Sequence, residues 1–583
     1  MKHRLLPEIR PKQSLNRNKM LNPIHIKRLF LFCLVFAGLA AVAQKPAIGS
    51  TDTVKNISVY NATMKDAVKQ SDLPEIIDSV GRLKDKQLGI MPKPVETTYK
   101  ATPINAAKMV NEPLSKLYYA QIKAGFGNYT MPYGELWINN LRSKEYVYGF
   151  HYKHLSAHYK AEDRGFAGWS DNDVNLYAKK FYKKHVLAGD FNYYRNVYHF
   201  YGFPDSLVSN NDVDTNNFTR QRFHTFEGKL NLKSFYTDST SINHDIHLNY
   251  YNIRDRFGAA ENNIFADGLI KTYVNREKLN VFLSTDYYNT KSKTDTVNDF
   301  IFRLMPYFEA GGQKWNVDLG VNVAIDEMTD YSTKFYFYPR LNIHYNIYNN
   351  FVIPYAGVTG GLEKNSFRSF TTANPFIVSN PAYLNTNNVF NVFGGLRGVL
   401  SSKTSYDAKV TYSRYKNMPF FLIDYDNFLS NKFMVVYNDA NLLNVNGQIK
   451  YQLKEKINVI AKGNYYGYSG LDSGAYAWHK PEFDITLSGL YNLKSKIILK
   501  ADFFYIGRQW AKQVTETVPG VNVYSNVQLK GIADINLGAE YRYSKMLSFF
   551  ATFNNIGNFR YYRWDRYPTQ RFNMMVGVTF VPF

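Results

Sequence analysis

The chain has 583 residues, 45% of them hydrophobic, with 48 Tyr, 42 Phe, a single Cys and a formal charge of +22. That cysteine, Cys33, lies in an apolar leader, so no thiol remains for disulfides, thiol catalysis or a Cys-based zinc site. Excess aromatics with a negative mean hydropathy fit strands that set amphipathic rings at two membrane interfaces while alternating polar residues lower the average. A large soluble β-sandwich or propeller would share this composition.

In chain order, Lys27-Arg28 precede an apolar run from Leu29 to Ala40 and then Ala41-Val42-Ala43 before Gln44. A run this short cannot cross about 30 Å of hydrocarbon as a helix. Residues 1–43 therefore read as a secretory signal peptide cut between Ala43 and Gln44, with Met20 as an alternative start. The leader sets Lys2, Arg4, Arg10, Lys12, Arg17, Lys19, Lys27 and Arg28 against Glu8, so its removal takes +7 from +22 and leaves +15. That balance suits an anionic lipid surface or an acidic ligand. Basic residues spread through turns and strand faces, not gathered in a patch, argue against nucleic acid. Residues 44–115 form a predicted N-terminal periplasmic or partial-plug segment, with short helices over 62–70 and 74–86.

From Leu117 onward apolar and polar residues alternate in stretches of 10 to 15. One stretch puts Tyr118, Ala120, Ile122, Ala124 and Phe126 on a single face. Another sets Trp315, Val317, Leu319, Val321 and Val323 against Asn316, Asp318, Gly320 and Asn322, and a third sets Ala533, Ile535, Leu537, Ala539 and Tyr541 against Asp534, Asn536, Gly538 and Glu540. Strands in soluble sheets average about 5 or 6 residues, whereas tilted membrane strands need about 9 to 11. Short polar turns, such as Arg142-Ser143-Lys144 and Lys494-Ser495, alternate with mostly longer segments, including 203–218, 367–386, 421–431, 469–480, 511–529 and 557–570. Short periplasmic turns and long external loops are the connectivity of a transmembrane barrel. The parity predicts an all-β, antiparallel transmembrane barrel over 116–583 with about 22 strands. They begin near 117, 133, 146, 172, 186, 222, 242, 263, 278, 299, 315, 334, 351, 388, 404, 431, 457, 481, 497, 531, 547 and 572. The stretch 431–453 could divide, and 133–141 carries the weakest pattern.

An even count puts both termini on one side, the periplasm. The last stretch places Phe572, Met574, Val576, Val578 and Phe580 on its apolar face, with Phe583 one residue out of phase and Pro582 lacking a ladder donor. Phe580 and Phe583 are the candidate C-terminal assembly signal, read by a barrel-assembly machinery.

Several segments resemble the Bacteroidota barrels classed with TonB-dependent receptors, over Val59 to Phe583. The carriers are Asp66-Ala67 with Pro74-Glu75-Ile76-Ile77-Asp78, Gly125-Phe126-Gly127-Asn128-Tyr129, Ala477-Trp478-His479-Lys480-Pro481, Asn536-Leu537-Gly538-Ala539-Glu540-Tyr541-Arg542, and Tyr567-Pro568. The resemblance implies an integral outer-membrane receptor for ligand capture or transport, driven by an energy-transducing complex. Asp52, Thr53 and Val54 are the candidate energy-coupling box, and a flexible chain start is the alternative. Only the roughly 70 residues from Gln44 to Pro113 precede the barrel, fewer than the family's plug. Segment 61–112 and inward-folded loops such as 367–386 are therefore expected to close the lumen, because barrels of this size are occluded. Implied partners are outer-membrane lipid, lipopolysaccharide, and either the energy-transducing complex or a surface lipoprotein. The alternative function is a non-transporting scaffold of an assembly, secretion or surface-lipoprotein complex.

No cofactor or enzymatic activity is expected. Among His151, His154 and His158, the first faces away from the other two, which stand about 13 Å apart on a strand. Asp171-Asn172-Asp173-Val174-Asn175 opens like a calcium loop, but Leu176 stands where glycine is needed and Tyr182 where the bidentate glutamate belongs. Asp212 and Asp214, in an Asx-rich stretch, are the better oxygen-ligand candidates. Asp424 and Asp426 are same-face neighbours in an aromatic loop, and no glycine-flanked serine, Walker or dinucleotide fingerprint occurs.

Overall fold

Strict alternation commits each side chain to one of two faces, and closing such strands into a ring makes one face concave and the other convex. The computed structural model describes residues 117–207, 218–454, 456–518 and 521–582. Within them 22 strands join in one antiparallel sheet. Its first strand, Ala120–Gly127, pairs with its last, Asn573–Phe580, so the ring closes without an edge. Each strand begins within three residues of its sequence-predicted start. Phe433–Leu453 is one strand of 21 residues rather than two. The leader with Ala43 and Gln44, the segment 44–115 with Asp52, Thr53 and Val54, the pair Asp212 and Asp214, and Phe583 lie outside the described residues.

The faces follow the predicted phase. Trp315 and Leu319 are exposed while Asn322 and Asp326 are buried, and in the last strand Met574, Val576, Val578 and Phe580 are all exposed. The two longest strands, Thr404–Ile423 and Phe433–Leu453, exceed what a membrane crossing needs. Their surplus lies at the long-loop end, where Phe420 is buried against Ala477 and Trp478 of the loop 470–482. One expectation fails in detail: the segment 511–529, read as a loop, belongs to a hairpin of Gln509–Val518 with Val521–Leu529 that leaves the wall. Pro519-Gly520 is a turn dipeptide, and Val514, Thr515, Val518, Val521 and Val523 around it favour strands.

The closing seam depends on two facing glycines. Gly125 lies opposite Gly577, and the Phe550 ring covers both while meeting Tyr133 edge-on at 6.0 Å. A Cβ on Gly577 would collide with the Phe550 ring and the Ala124 carbonyl oxygen. Glycine here permits a close approach that a neighbouring aromatic then covers. Gly577→Val is therefore expected to weaken ring closure, costing about 1–3 kcal/mol as overpacking. Electrophoresis without boiling reads this as loss of the compact, fast-migrating band at a lower temperature than for the parent. Phe580 sits in the same seam, opposite Ile122 on one side and Leu547 on the other.

Candidate functional site

The segment 364–385, between the strands Ile353–Glu363 and Thr386–Ser401, turns into the barrel. Its sequence Ser366-Phe367-Arg368-Ser369 builds a capping box: the Ser366 hydroxyl accepts from the Ser369 amide at 3.2 Å, and the Ser369 hydroxyl accepts from the Ser366 amide at 2.8 Å. The helix Phe367–Ala373 that follows is too short to stand alone. It is held by what it buries. Phe367 meets Phe223 edge-on at 6.1 Å, and Phe370 meets Phe421 at 6.2 Å. Phe223 and Phe421 belong to the sixth and fifteenth strands of the ring of 22. Contacts to strands so nearly opposite require the segment to cross the lumen, as the sequence reading expected of 367–386.

A set of inward carboxylates from neighbouring strands fixes this loop. Glu261 is fully buried and accepts from the Phe367 amide at 2.6 Å, the Arg368 amide at 3.3 Å, the Tyr251 hydroxyl at 2.7 Å and the Thr290 hydroxyl at 2.9 Å. The first two donors are free N–H groups of the helix's first turn, which otherwise lack partners. Arg368 pairs with buried Glu227 at 2.8 Å and lies over the Tyr251 ring at 4.4 Å. Lys364 pairs with Asp286 at 3.0 Å. At the far end Asn385 donates to Asp299 at 2.6 Å and to Asp326 at 2.9 Å, while Ser379 donates to Asp255. Buried carboxylates are tolerable only when charges or several donors compensate them. Here the loop supplies much of that compensation.

Around the inserted loop, other segments of the long-loop end form an aromatic layer. Tyr567 stacks on Phe376 at 4.0 Å, meets Tyr201 edge-on at 4.8 Å, and donates its hydroxyl to the Asn431 carbonyl. A cavity of about 440 Å³ opens in this layer, lined by Tyr159, Trp169, Tyr201, Arg563, Trp564 and Arg571 among others. Arg571 pairs with Glu162 at 3.0 Å. Arg563 is exposed and makes no ion pair among the described residues.

His479 holds the layer from beneath. Its Nδ1–H donates to the Phe421 carbonyl at 2.9 Å and its Nε2 accepts from the Asp565 amide at 3.2 Å, so the neutral ring satisfies both. Burial pulls its pKa from 6.5 down to about 4, against the opposing bond to Phe421. A depressed pKa contributes stability that is present above the unfolded value and lost as pH falls from 6.5 towards about 4. The full loss is on the order of 3 kcal/mol. Hydrogen exchange over 470–482 is expected to rise steeply across that window, and His479→Gln should flatten the dependence.

The motifs weighed from sequence separate in space. His151 bonds to Glu135 at 2.9 Å and stacks on Trp137 at 3.5 Å, whereas His154 faces the other way, bonded to Asn172 at 2.8 Å. His158 packs on Phe166 at 4.7 Å. Asp171 and Asp173 lie within the strand Trp169–Phe181, and Asp171 accepts from Asn196 and Tyr198. Asp424 caps a turn by accepting from the Asp426 amide at 3.2 Å. Among the described residues no group of three or more His, Cys, Asp or Glu could hold a metal ion. The carboxylates that grip the loop went unnoticed in the sequence; the available signal was the acidic residues at inward positions of successive strands.

Comparison with known proteins finds no matching family model and no matching curated relative. Solved structures do match. The pyoverdine outer membrane receptor FpvA of Pseudomonas aeruginosa PAO1 is 14% identical, with a TM-score of 0.61 over 80% of this chain and 79% of that one. The FrpB iron transporter of Neisseria meningitidis is 9% identical, with a TM-score of 0.62 over 80% and 82%. The ferric-catecholate import receptor Fiu of E. coli K12 is 9% identical, with a TM-score of 0.59 over 80% and 81%. At such identities the likeness concerns the fold: this chain has the closed 22-strand barrel of outer-membrane receptors.

Proposed function

We propose that the protein is an integral outer-membrane barrel of the TonB-dependent receptor type, which captures a small anionic, ring-bearing solute at its long-loop end. The observation that carries this reading is the cavity of about 440 Å³, where Trp169, Trp564, Tyr159 and Tyr201 line the space together with Arg563, which makes no ion pair among the described residues. Aromatic side chains suit a planar ring through stacking, and a guanidinium suits the anionic oxygens it carries. A receptor for pyoverdine, an iron transporter and a ferric-catecholate import receptor share the fold, so an iron chelate is the first candidate class. Passage then requires the carboxylate-held loop 364–385 to move. In this reading the long loops face outside and both termini the periplasm. Residues 1–43 are removed, and 44–115 form the periplasmic segment through which an energy-transducing complex acts, with Asp52, Thr53 and Val54 as its contact. Phe580 with Phe583 directs assembly, and the host is a Bacteroidota cell. No catalytic step is assigned.

Trp169 and Trp564 line the cavity, so ligand entry should quench tryptophan fluorescence. Titrating the purified barrel with ferric catecholate, ferric hydroxamate and iron-free forms tests the reading. Saturable quenching by one ferric chelate, and not by its iron-free form, is expected. No quenching by any of them, with a lipoprotein co-purifying in stoichiometric amount, would favour the scaffold instead.

A further inference from the structure

The wall separates charge across its thickness. Near the long-loop end of the consecutive strands His185–His199, Arg220–Ser234, Asn243–Arg254, Ala260–Val274 and Glu277–Lys291, inward positions hold the buried Glu227, Glu261 and Asp286. Outward positions of the same stretch hold Arg195, Arg222, His224, Arg254 and Lys291, with no carboxylate on that face. The register sets Arg195 opposite His224, His224 opposite Arg254, Arg254 opposite Ala260 and Ala260 opposite Lys291. This is one transverse row across five strands, about 19 Å wide at the usual strand spacing.

Depth orders the chemistry. Outward residues of Asn243–Arg254 run Ile246, Leu248, Tyr250, Asn252, Arg254: apolar, then aromatic, then amide, then cation. Leu283, Tyr287, Asn289 and Lys291 repeat the order two strands away. The tyrosines and asparagines satisfy one another, with Tyr250 and Asn252 donating to Asn262, and Tyr287 and Asn289 donating to Asn298. The cations above them are not neutralised. Among the described residues Arg195, Arg222, Arg254 and Lys291 make no ion pair, and the Arg222 Nε is buried without a hydrogen-bond partner. Elsewhere on the same rim the outward face varies: Phe335 and Phe337 are exposed and apolar, whereas Arg414 and Lys416 of Thr404–Ile423 are exposed cations with the exposed Asp439 on the adjoining strand. The five-strand arc differs from that second cluster in holding no carboxylate on its face.

A ligand for this arc must carry anionic groups at the height of the arginines and apolar chains that descend past Tyr250 and Leu248. We infer that the arc binds a phosphorylated glycolipid of the outer leaflet, with phosphates on Arg195, Arg222, Arg254 and Lys291 and acyl chains along the apolar face. Guanidinium forks suit phosphate oxygens. The inference rests on the proposed membrane orientation, with the long-loop end outside.

Native mass spectrometry of the detergent-purified protein, titrated with bisphosphorylated lipid A, its dephosphorylated form and inorganic phosphate, tests it. Wild-type protein should retain the bisphosphorylated lipid at least tenfold better than the dephosphorylated one, and the Arg195→Gln/Arg254→Gln/Lys291→Gln variant should lose that preference. Equal retention by the variant, or inorganic phosphate competing as tightly as the lipid, would overturn the inference. If the triple variant does not migrate as a folded barrel, Arg254→Gln and Arg254→Lys are compared: loss in the first alone supports the site, and equal behaviour refutes it. Flotation of cell membranes gives a separate readout of the membrane reading, since a barrel that floats with membranes yet shows no lipid preference contradicts only this inference.

Discussion

Glu261→Ala is expected to release the loop 364–385 while leaving the wall standing. The substitution strips partners from the buried Phe367 amide, the part-buried Arg368 amide and the buried Tyr251 and Thr290 hydroxyls, while the Arg368 guanidinium keeps Glu227 and the Tyr251 ring. Unpaired buried donors cost about 1–3 kcal/mol each. The wall strands keep their own backbone ladder on both sides, so this penalty falls on the loop. In planar bilayers the variant should conduct in larger and more frequent openings than the parent. Trypsin should cut at Arg368 in the variant and spare it in the parent. Glu261→Gln keeps the acceptor oxygen but introduces a donor among donors, so an intermediate effect is expected. Unchanged conductance and unchanged cleavage would mean that the carboxylate set does not hold the loop.

The second large effect is expected at Tyr567, where three loop segments meet. Its ring touches Phe376 of the inserted loop, Tyr201 and Phe433, its Cε2 and Cζ fill the space beside Gly202, and its hydroxyl binds the Asn431 carbonyl. Truncating such a buried ring costs about 3–5 kcal/mol, so Tyr567→Ala should uncouple 200–207 from 376–383, read as faster hydrogen exchange in both. Tyr567→Phe removes only the hydroxyl and should cost about 1–2 kcal/mol. The wall should keep its heat-resistant migration in both variants. A wall that collapses in Tyr567→Ala would show that the loop layer supports the barrel rather than resting on it.

The barrel was legible because a period of two over long stretches has few physical solutions, and turn-loop parity supplied strand order and count. The phase of the last strand followed from Met574, Val576, Val578 and Phe580. The candidate site was less legible, for a physical reason. Alternation tells that Glu261 points inward but not what it meets, and its partner Phe367 is 106 positions away. Ser366-Phe367-Arg368-Ser369 signals a helix start, yet nothing local shows that the helix starts on a carboxylate of another strand. His151 and His154 were set on opposite faces correctly by strand geometry, whereas His158 lies beyond the strand's end at Ala157 and the stack of His151 on Trp137 needed the register of two strands. The hairpin over 509–529 was missed because loop length was weighed above the turn signal Pro519-Gly520.

The central claim is a membrane barrel whose long loops face outside and whose short turns face the periplasm. Cys33, within the predicted leader, is the chain's single cysteine, so single-cysteine labelling reads this directly. Phe428→Cys places a thiol at a highly exposed long-loop tip, and Ser495→Cys places one at a short turn. Treatment of intact cells with a membrane-impermeant maleimide should label position 428 at once and position 495 only after the outer membrane is permeabilised. Labelling of 495 but not 428 in intact cells, or of both without permeabilisation, would contradict the account.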